Sequence, residues 1–111
     1  MNELIQELHD IEMIKQLKHR YFRAIDMADH GLLDSVFTDD IAVDYRGGTY
    51  VWEASGKKEI IQSLKYSFHS ETAAMHTGHH PEISIHDDVN ASGIWYLQDI
   101  FYNFNENALT Q

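Results

Sequence analysis

The sequence contains no cysteine, a single proline and no long hydrophobic run. Without cysteine, the chain can form no disulfide, no thiolate nucleophile and no cysteine-ligated metal site. Without an apolar run of about 20 residues it offers no candidate transmembrane helix. Its first residues also lack the basic start and the apolar stretch of a secretion signal. We therefore expect a cytoplasmic protein that does not interact with membranes.

Basic side chains are also scarce. Eight Lys and Arg residues stand against 18 Asp and Glu residues, which gives a net charge of -10. Such a surface repels the phosphates of nucleic acids, so we expect no nucleic-acid partner. A chain of 111 residues with 43% hydrophobic residues is typical of one globular domain. We predict a single domain over residues 1–111.

The first quarter of the sequence has helical periodicity. Apolar residues recur at steps of three and four, without an intervening Gly or Pro, at Leu4, Leu8, Ile11, Ile14, Leu17, Tyr21, Ile25 and Ala28. This pattern predicts one long amphipathic helix from Glu3 to about Ala28. Residues 29–31 are predicted to end it, with Gly31 as the left-handed cap residue.

The remaining segments are predicted to be two shorter helices and several strands. Residues 32–37 and the segment that begins at residue 55 have helical patterns. Strands are predicted, from alternating or β-rich composition, at residues 41–45, 49–52, 73–86 and 91–103. Helices that mostly precede strands indicate an α+β fold, with helices packed on one face of a mostly antiparallel sheet. So small a sheet leaves an exposed edge, so we expect either missing C-terminal strands or cover from another chain.

Three of the eight histidines lie within five residues, at positions 76, 79 and 80. In a strand His76 and His80 would share a face about 13 Å apart, and His79 would point the other way. This geometry argues against a metal site, although a bulge at Gly78 would bring the side chains closer. We expect no bound metal and interpret His79 and His80 as surface residues.

His76 lies in a segment suited to burial. A half-buried histidine beside a carboxylate is the usual general base near neutral pH, and a core histidine bonded to a backbone carbonyl is the alternative. From the residues alone, the candidate carboxylate is Asp26, beside the apolar stripe of the first helix. Asp99 lies on an apolar strand face. A charge on an apolar face requires a partner or a cavity.

Five segments, in their order and spacing, resemble the SnoaL-like branch of the NTF2-like superfamily. These segments are residues 21–26 (YFRAID), 33–45, 56–60, 75–83 (MHTGHHPEI) and 91–99. The resemblance is closest to the scytalone dehydratase and bile-acid 7α-dehydratase group. It implies a cone in which N-terminal helices close a strongly curved, mostly antiparallel sheet. The family pattern continues past Gln111, which implies that the chain lacks the last one or two family strands.

The resemblance also implies three catalytic residues. Asp26 matches the helix aspartate that orients the catalytic histidine, and His76 matches that histidine. Tyr45 matches a strand tyrosine that points into the pocket. Without the resemblance, Tyr45 could equally be a core ring with a hydrated hydroxyl group.

Three further residues are expected to bind substrate. Tyr21 and Asp99 match pocket residues of the bile-acid enzymes. Where the scytalone enzymes carry a second histidine, this sequence has Trp95 and Tyr96, so Trp95 is expected in the pocket and scytalone itself is not the expected substrate.

The function implied is that of a cofactor-independent dehydratase-type lyase. It would act on a small hydroxylated cyclic carbonyl compound, steroid-like or polyketide-like, through an Asp–His general acid/base dyad. The alternatives are an isomerase or cyclase with the same pocket, and a non-catalytic domain that binds small ligands or other proteins. We also expect a homo-oligomer, a dimer or trimer, with Ile83, Ile85 and residues 100–104 as candidate interface.

Overall fold

A computed structural model describes residues 2–111. Three helices and five strands follow one another as α1 (Asn2–Asp26), α2 (His30–Val36), β1 (Ala42–Gly47), β2 (Tyr50–Ser55), α3 (Lys57–Ser67), β3 (Thr72–Ile85), β4 (Ala91–Asn103) and β5 (Ala108–Thr110). All three predicted helices and all four predicted strands are therefore present. None of the helices in the described range is long and apolar enough to cross a membrane.

The strands form two antiparallel sheets. One sheet is the β1–β2 hairpin, and the other has the order β3–β4–β5. The three-residue strand β5 was not predicted, because its segment has neither an alternating pattern nor the length of a typical strand. It exists because Ala108, Leu109 and Thr110 pair with the end of β4.

The end of α1 corrects one prediction. Ala28, not Gly31, adopts the left-handed conformation, with φ of 52°. The N–H of Asp29 donates to the carbonyl of Ala24 at 2.8 Å, which closes the helix as a Schellman motif. Gly31 lies inside α2, whose first turn is capped by the Asp29 side chain accepting from the Leu32 N–H at 3.0 Å.

The core lies where the C-terminal end of α1 meets α2 and α3. Its buried members are Ala24, Ile25, Leu33, Ile60, Ile61 and Leu64. The predicted apolar stripe of α1 is buried only near this end, because no strand reaches its first turns. Leu4 and Leu8 are 52% and 58% exposed, and the molecule measures 54 × 27 × 27 Å.

The long β3–β4 hairpin carries most of the candidate site. Its register places His76 directly opposite Asp99, so both side chains point to the face that α1 covers. The register shifts between His79 and Glu82, and His80 there has a φ of 51°. The irregularity therefore lies at His80 and Pro81, and the site-bearing part of the hairpin stays regular.

The other face of this hairpin is uncovered. Met75, Ile94 and Tyr96 are 54%, 67% and 72% exposed there. The homo-oligomer expected from the sequence stays a prediction. Phe101, which lies within the interface segment suggested from the sequence, lines a cavity on the opposite face of the hairpin.

Candidate active site

Asp26 binds His76 through both carboxylate oxygens. The ring nitrogen Nδ1 of His76 lies 2.7 Å from Oδ1, and the backbone N–H of His76 donates to Oδ2 at 3.1 Å. An ionised carboxylate only accepts hydrogen bonds, so Nδ1 must carry the proton. In the neutral ring Nε2 is then the free base.

Aromatic rings hold the imidazole on two sides. Phe22 of α1 lies parallel to it, with the ring planes 10° apart and the centroids separated by 6.1 Å. Phe68 meets it edge-on at 5.8 Å, and the Phe68 carbonyl accepts a hydrogen bond from Nε2 of His30 at 3.0 Å. The His76 side chain is only 11% exposed. Its orientation is therefore set by packing as well as by Asp26.

The Nε2 side of the imidazole faces Asp99. Nε2 lies 3.8 Å from Oδ2 of Asp99, whose side chain is 50% exposed. This distance is too long for a hydrogen bond but close enough for attraction between a protonated ring and a carboxylate. His76 thus lies between a half-buried carboxylate at Nδ1 and a more exposed one at Nε2.

An aromatic cavity of about 650 Å³ opens at this pair of residues. Tyr45, His76 and Asp99 all contribute to its wall, and the remaining lining residues are Tyr50, Trp52, Ser63, Leu64, Tyr66, Ser67, Phe68, Phe101 and Thr110. Both sheets and α3 contribute to this lining. Apolar and aromatic walls with a few convergent polar groups are typical of small-molecule binding sites.

Tyr45 reaches the cavity from the smaller sheet. It lies opposite Trp52 in the β1–β2 register, and the two rings meet edge-to-face at 4.9 Å. Its hydroxyl oxygen is 2.6 Å from that of Tyr21 on α1. Burial, reinforced by Tyr45, raises the pKa of Tyr21 well above its ordinary value. Tyr21 therefore stays neutral and keeps its hydroxyl hydrogen. It does not line the cavity itself but hydrogen-bonds to Tyr45, which does.

The structure therefore brings five of the six predicted site residues together. Asp26 and Tyr21 do not line the cavity themselves but bind His76 and Tyr45, which do. Trp95 is the exception and is not part of the cavity wall. Trp95 and Asp99 are four positions apart on β4, a distance of about 13 Å in a strand.

Trp95 has a different environment. Its ring covers Gly93, and the ammonium of Lys18 lies 5.4 Å from it. Burial lowers the pKa of Lys18. The indole Nε1 is buried without a hydrogen-bond partner among residues 2–111. A contact between Trp95 and substrate therefore stays a prediction from the resemblance.

Several cavity residues were not predicted from the sequence. Phe101 could have been found, because it follows Asp99 by two positions and so shares its strand face. Tyr50 and Trp52 share a face of β2 for the same reason. Tyr66, which is 86% exposed, gave no such signal, because its contribution depends on how α3 packs across the sheets.

Two other features of the molecule lie apart from this site. In the described part of the chain, no three His, Asp or Glu side chains are arranged to hold a metal ion, and His79 and His80 are exposed. A second depression of about 700 Å³ is bordered by Lys57, Lys58 and Lys65. It shares no lining residue with the aromatic cavity, which alone contains the histidine.

Comparison with known proteins agrees with this architecture. A family model described as a SnoaL-like domain matches residues 6–111. A 2.5 Å structure of a protein from Catenulispora acidiphila superposes with a TM-score of 0.72 at 17% sequence identity, over 95% of this chain and 73% of that one. Such low identity bears on the fold alone. The predicted α+β, NTF2-like fold is confirmed.

Proposed function

The chain belongs to the SnoaL-like domain family, and on this premise we propose that it is a cofactor-independent lyase of the dehydratase type. The family includes polyketide cyclases, dehydratases and isomerases. The proposed substrate is a small hydroxylated cyclic carbonyl compound, steroid-like or polyketide-like. One observation carries the proposal: Asp26 holds Nδ1 of His76, while the same ring lines an aromatic cavity beside Asp99.

The proposed reaction uses His76 as base and then as acid. Nε2 removes the proton from the carbon next to the substrate carbonyl, and the electron pair of that C–H bond forms an enolate. The enolate then collapses to a carbon–carbon double bond and expels the hydroxyl group on the adjacent carbon. That hydroxyl takes the proton from Nε2 and leaves as water, so His76 returns to its neutral form.

Asp26 stabilises this cycle by keeping the imidazole in one tautomer. With Nδ1–H bound to the carboxylate, the imidazolium that forms in the first step carries its charge beside Asp26 on one side and Asp99 on the other. Preorganised charges of this kind stabilise a developing opposite charge without rearranging during the reaction.

Tyr45 is the proposed donor to the enolate oxygen. If Tyr21 donates its proton to the Tyr45 oxygen, the Tyr45 hydroxyl hydrogen is free to point into the cavity. Hydrogen bonds in such a chain polarise one another, so the buried Tyr21 strengthens Tyr45 as a donor. Asp99, half exposed at the wall, is the proposed acceptor for a substrate hydroxyl.

The test begins with finding a substrate. Immobilised protein is incubated with a small-molecule extract, bound compounds are identified by mass spectrometry, and each is offered to the protein in solution. We expect a product lighter than its substrate by one water. A product of equal mass would instead indicate an isomerase or cyclase, and binding without turnover would indicate a ligand-binding domain.

The His76→Ala variant then tests the mechanism. Loss of general acid/base catalysis lowers kcat by about 10²- to 10⁴-fold. The matched control is His79→Ala, which removes an exposed histidine from the same strand and should leave kcat unchanged. Full turnover by the His76→Ala protein would refute the mechanism.

A further inference from the structure

Gly78 and Phe22 touch where α1 crosses β3. A Cβ atom built on Gly78 would lie 2.6 Å from Cε2 and 3.2 Å from Cζ of the Phe22 ring. Real Cβ atoms almost never approach another heavy atom within 3.0 Å. The helix therefore packs against this strand at a distance that only glycine allows.

This contact and the Asp26–His76 contact belong to one helix–strand interface. Phe22 and Asp26 are four residues apart on α1, so they lie one above the other on the same helix face. Gly78 and His76 are two residues apart on β3, so their side-chain directions share one strand face. Phe22 therefore meets Gly78, and Asp26 meets His76. The two contacts are about one helical turn apart.

From this geometry we infer that Gly78 is a positioning residue that sets the spacing between α1 and β3, and with it the contact between Asp26 and His76. The catalytic consequence rests on the proposed function, while the structural consequence does not. A larger residue at position 78 pushes the helix face away from the strand, and the Asp26 carboxylate moves with the helix.

The Phe22 ring has little freedom to absorb an added methyl group. It is only 7% exposed, it lies parallel to the His76 imidazole, and the Lys18 ammonium lies 5.1 Å from its centroid. Any tilt of the ring disturbs the imidazole directly. Any shift of the backbone lengthens the 2.7 Å bond between Nδ1 and Oδ1.

Backbone conformation is not the reason for glycine at this position. Gly48 and Gly56 have positive φ values, whereas Gly78 is part of regular β3 and does not. Alanine can adopt the Gly78 backbone without strain. A Gly78→Ala variant therefore reports only on the space beside Phe22.

The experiment compares Gly78→Ala with a rescue variant and a control. Phe22→Leu removes the ring atoms nearest to position 78, so Gly78→Ala combined with Phe22→Leu restores the space. Because the Phe22 ring also packs on the His76 imidazole, Phe22→Leu alone is the reference for the double variant. Gly93→Ala is the matched control, because its Cβ would overlap the Trp95 ring on the same sheet, away from the dyad. It should lower stability without altering His76.

The first measurement needs no substrate. The downfield proton resonance of His76 Nδ1–H and the pH titration of its ring carbons are followed by NMR in each variant. We expect Gly78→Ala to shift or broaden the resonance, the double variant to give the same resonance as Phe22→Leu alone, and Gly93→Ala to retain the natural one. If Gly78→Ala does not fold, the double variant is compared with Phe22→Leu alone. Equal resonances in these two proteins support the inference, and a folded double variant whose resonance differs from that of Phe22→Leu overturns it.

The second measurement is kcat/KM on the substrate identified above. A misplacement of about 1 Å costs about 10²-fold, so we expect that loss in Gly78→Ala and partial recovery in the double variant. An unchanged His76 resonance in folded Gly78→Ala would refute the positioning role, whatever the activity. A displaced resonance with full turnover would uphold the positioning role and refute the proposed function instead.

Discussion

Asp26 and His76 lie fifty residues apart in the sequence, yet they are joined by two hydrogen bonds, one to the backbone N–H of His76 and one to its ring. One carboxylate thus fixes both the strand position of the histidine and the direction of its imidazole. The carboxylate is a quarter exposed and the ring about a tenth, so solvent competes weakly for either bond.

Replacing Asp26 with Asn tests this double role. An amide keeps one accepting oxygen but turns an NH₂ group toward one of the two His76 N–H donors, so one hydrogen bond is lost. We expect the free energy of unfolding to fall by about 1–3 kcal/mol, because a buried donor is left unpaired. We expect kcat to fall by about 10²-fold or more, because the ring is no longer held in one tautomer.

Urea denaturation and steady-state kinetics measure the two effects. Asp10→Asn is the matched control, since it makes the same change on the same helix at a side chain that is 41% exposed. If Asp26→Asn lost stability but retained kcat, Asp26 would be only a structural partner of His76.

Tyr21 makes the free energy of unfolding depend on pH in the alkaline range. Burial, with a further contribution from Tyr45, raises the pKa of Tyr21 above its ordinary value of 10.0. Above pH 10 the unfolded chain loses this proton while the folded chain keeps it, so the folded state binds more protons. The stabilisation by neutral Tyr21 is therefore fully present below pH 10 and decreases as the pH rises above 10.

Ultraviolet difference titration of the folded protein checks this behaviour. Of the six tyrosines, Tyr21 should not contribute to phenolate absorbance while the protein stays folded. The Tyr21→Phe variant should therefore show the same folded-state amplitude as the natural sequence, and its stability should decline less steeply above pH 10. An amplitude smaller by one tyrosine would contradict the assignment.

Asp99 should make the cavity discriminate against anionic ligands. A carboxylate on the ligand would meet a carboxylate on the wall, and because Asp99 is half exposed, solvent screening limits the penalty to about 1 kcal/mol, roughly fivefold in Kd. We expect 2-naphthol to bind more tightly than 2-naphthoate, measured by calorimetry. Asp99→Asn should reduce this difference, whereas Asp88→Asn, in the exposed turn, should not.

The two tryptophans should respond differently to an occupied cavity. Trp52 lines the cavity and Trp95 does not. In protein labelled with 5-fluorotryptophan, the two fluorine resonances are assigned with the Trp52→Phe and Trp95→Phe variants. Addition of 2-naphthol should shift the Trp52 resonance and leave the Trp95 resonance in place, and Trp95→Phe should retain the same Kd. A large shift of the Trp95 fluorine resonance would show that Trp95 contacts the ligand.

Much of the secondary structure follows from local patterns. The steps of three and four in α1 and the alternation in β3 and β4 were sufficient to predict these elements. The alternation also predicted that Asp99 lies on an apolar strand face, and the resemblance to a family identified Asp26 as the partner of His76. Local pattern offered Asp26 as a candidate because it flanks the apolar stripe of α1, but most helical aspartates in that position are only solvated.

The left-handed end of α1 and the short strand β5 could not be predicted from local patterns, because they depend on tertiary contacts. Ala28 takes a conformation that usually favours glycine, because the Schellman hydrogen bonds and the packing of Ala24 and Ile25 close the helix there. β5 becomes a strand only because β4 offers it a free edge. Neither outcome has a sequence signal of its own, since both are set by neighbours distant in the chain.

Alternation, helical period and the positions of chemically active residues can be predicted from the sequence, because these properties depend only on neighbours along the chain. Which of these residues meet depends on how the helices and strands pack. This packing brought Asp26 to His76 where Phe22 meets Gly78, and it left Trp95 outside the cavity despite sharing a strand with Asp99. Contact between a helix and a strand depends on the shape of both surfaces, down to a single missing Cβ atom.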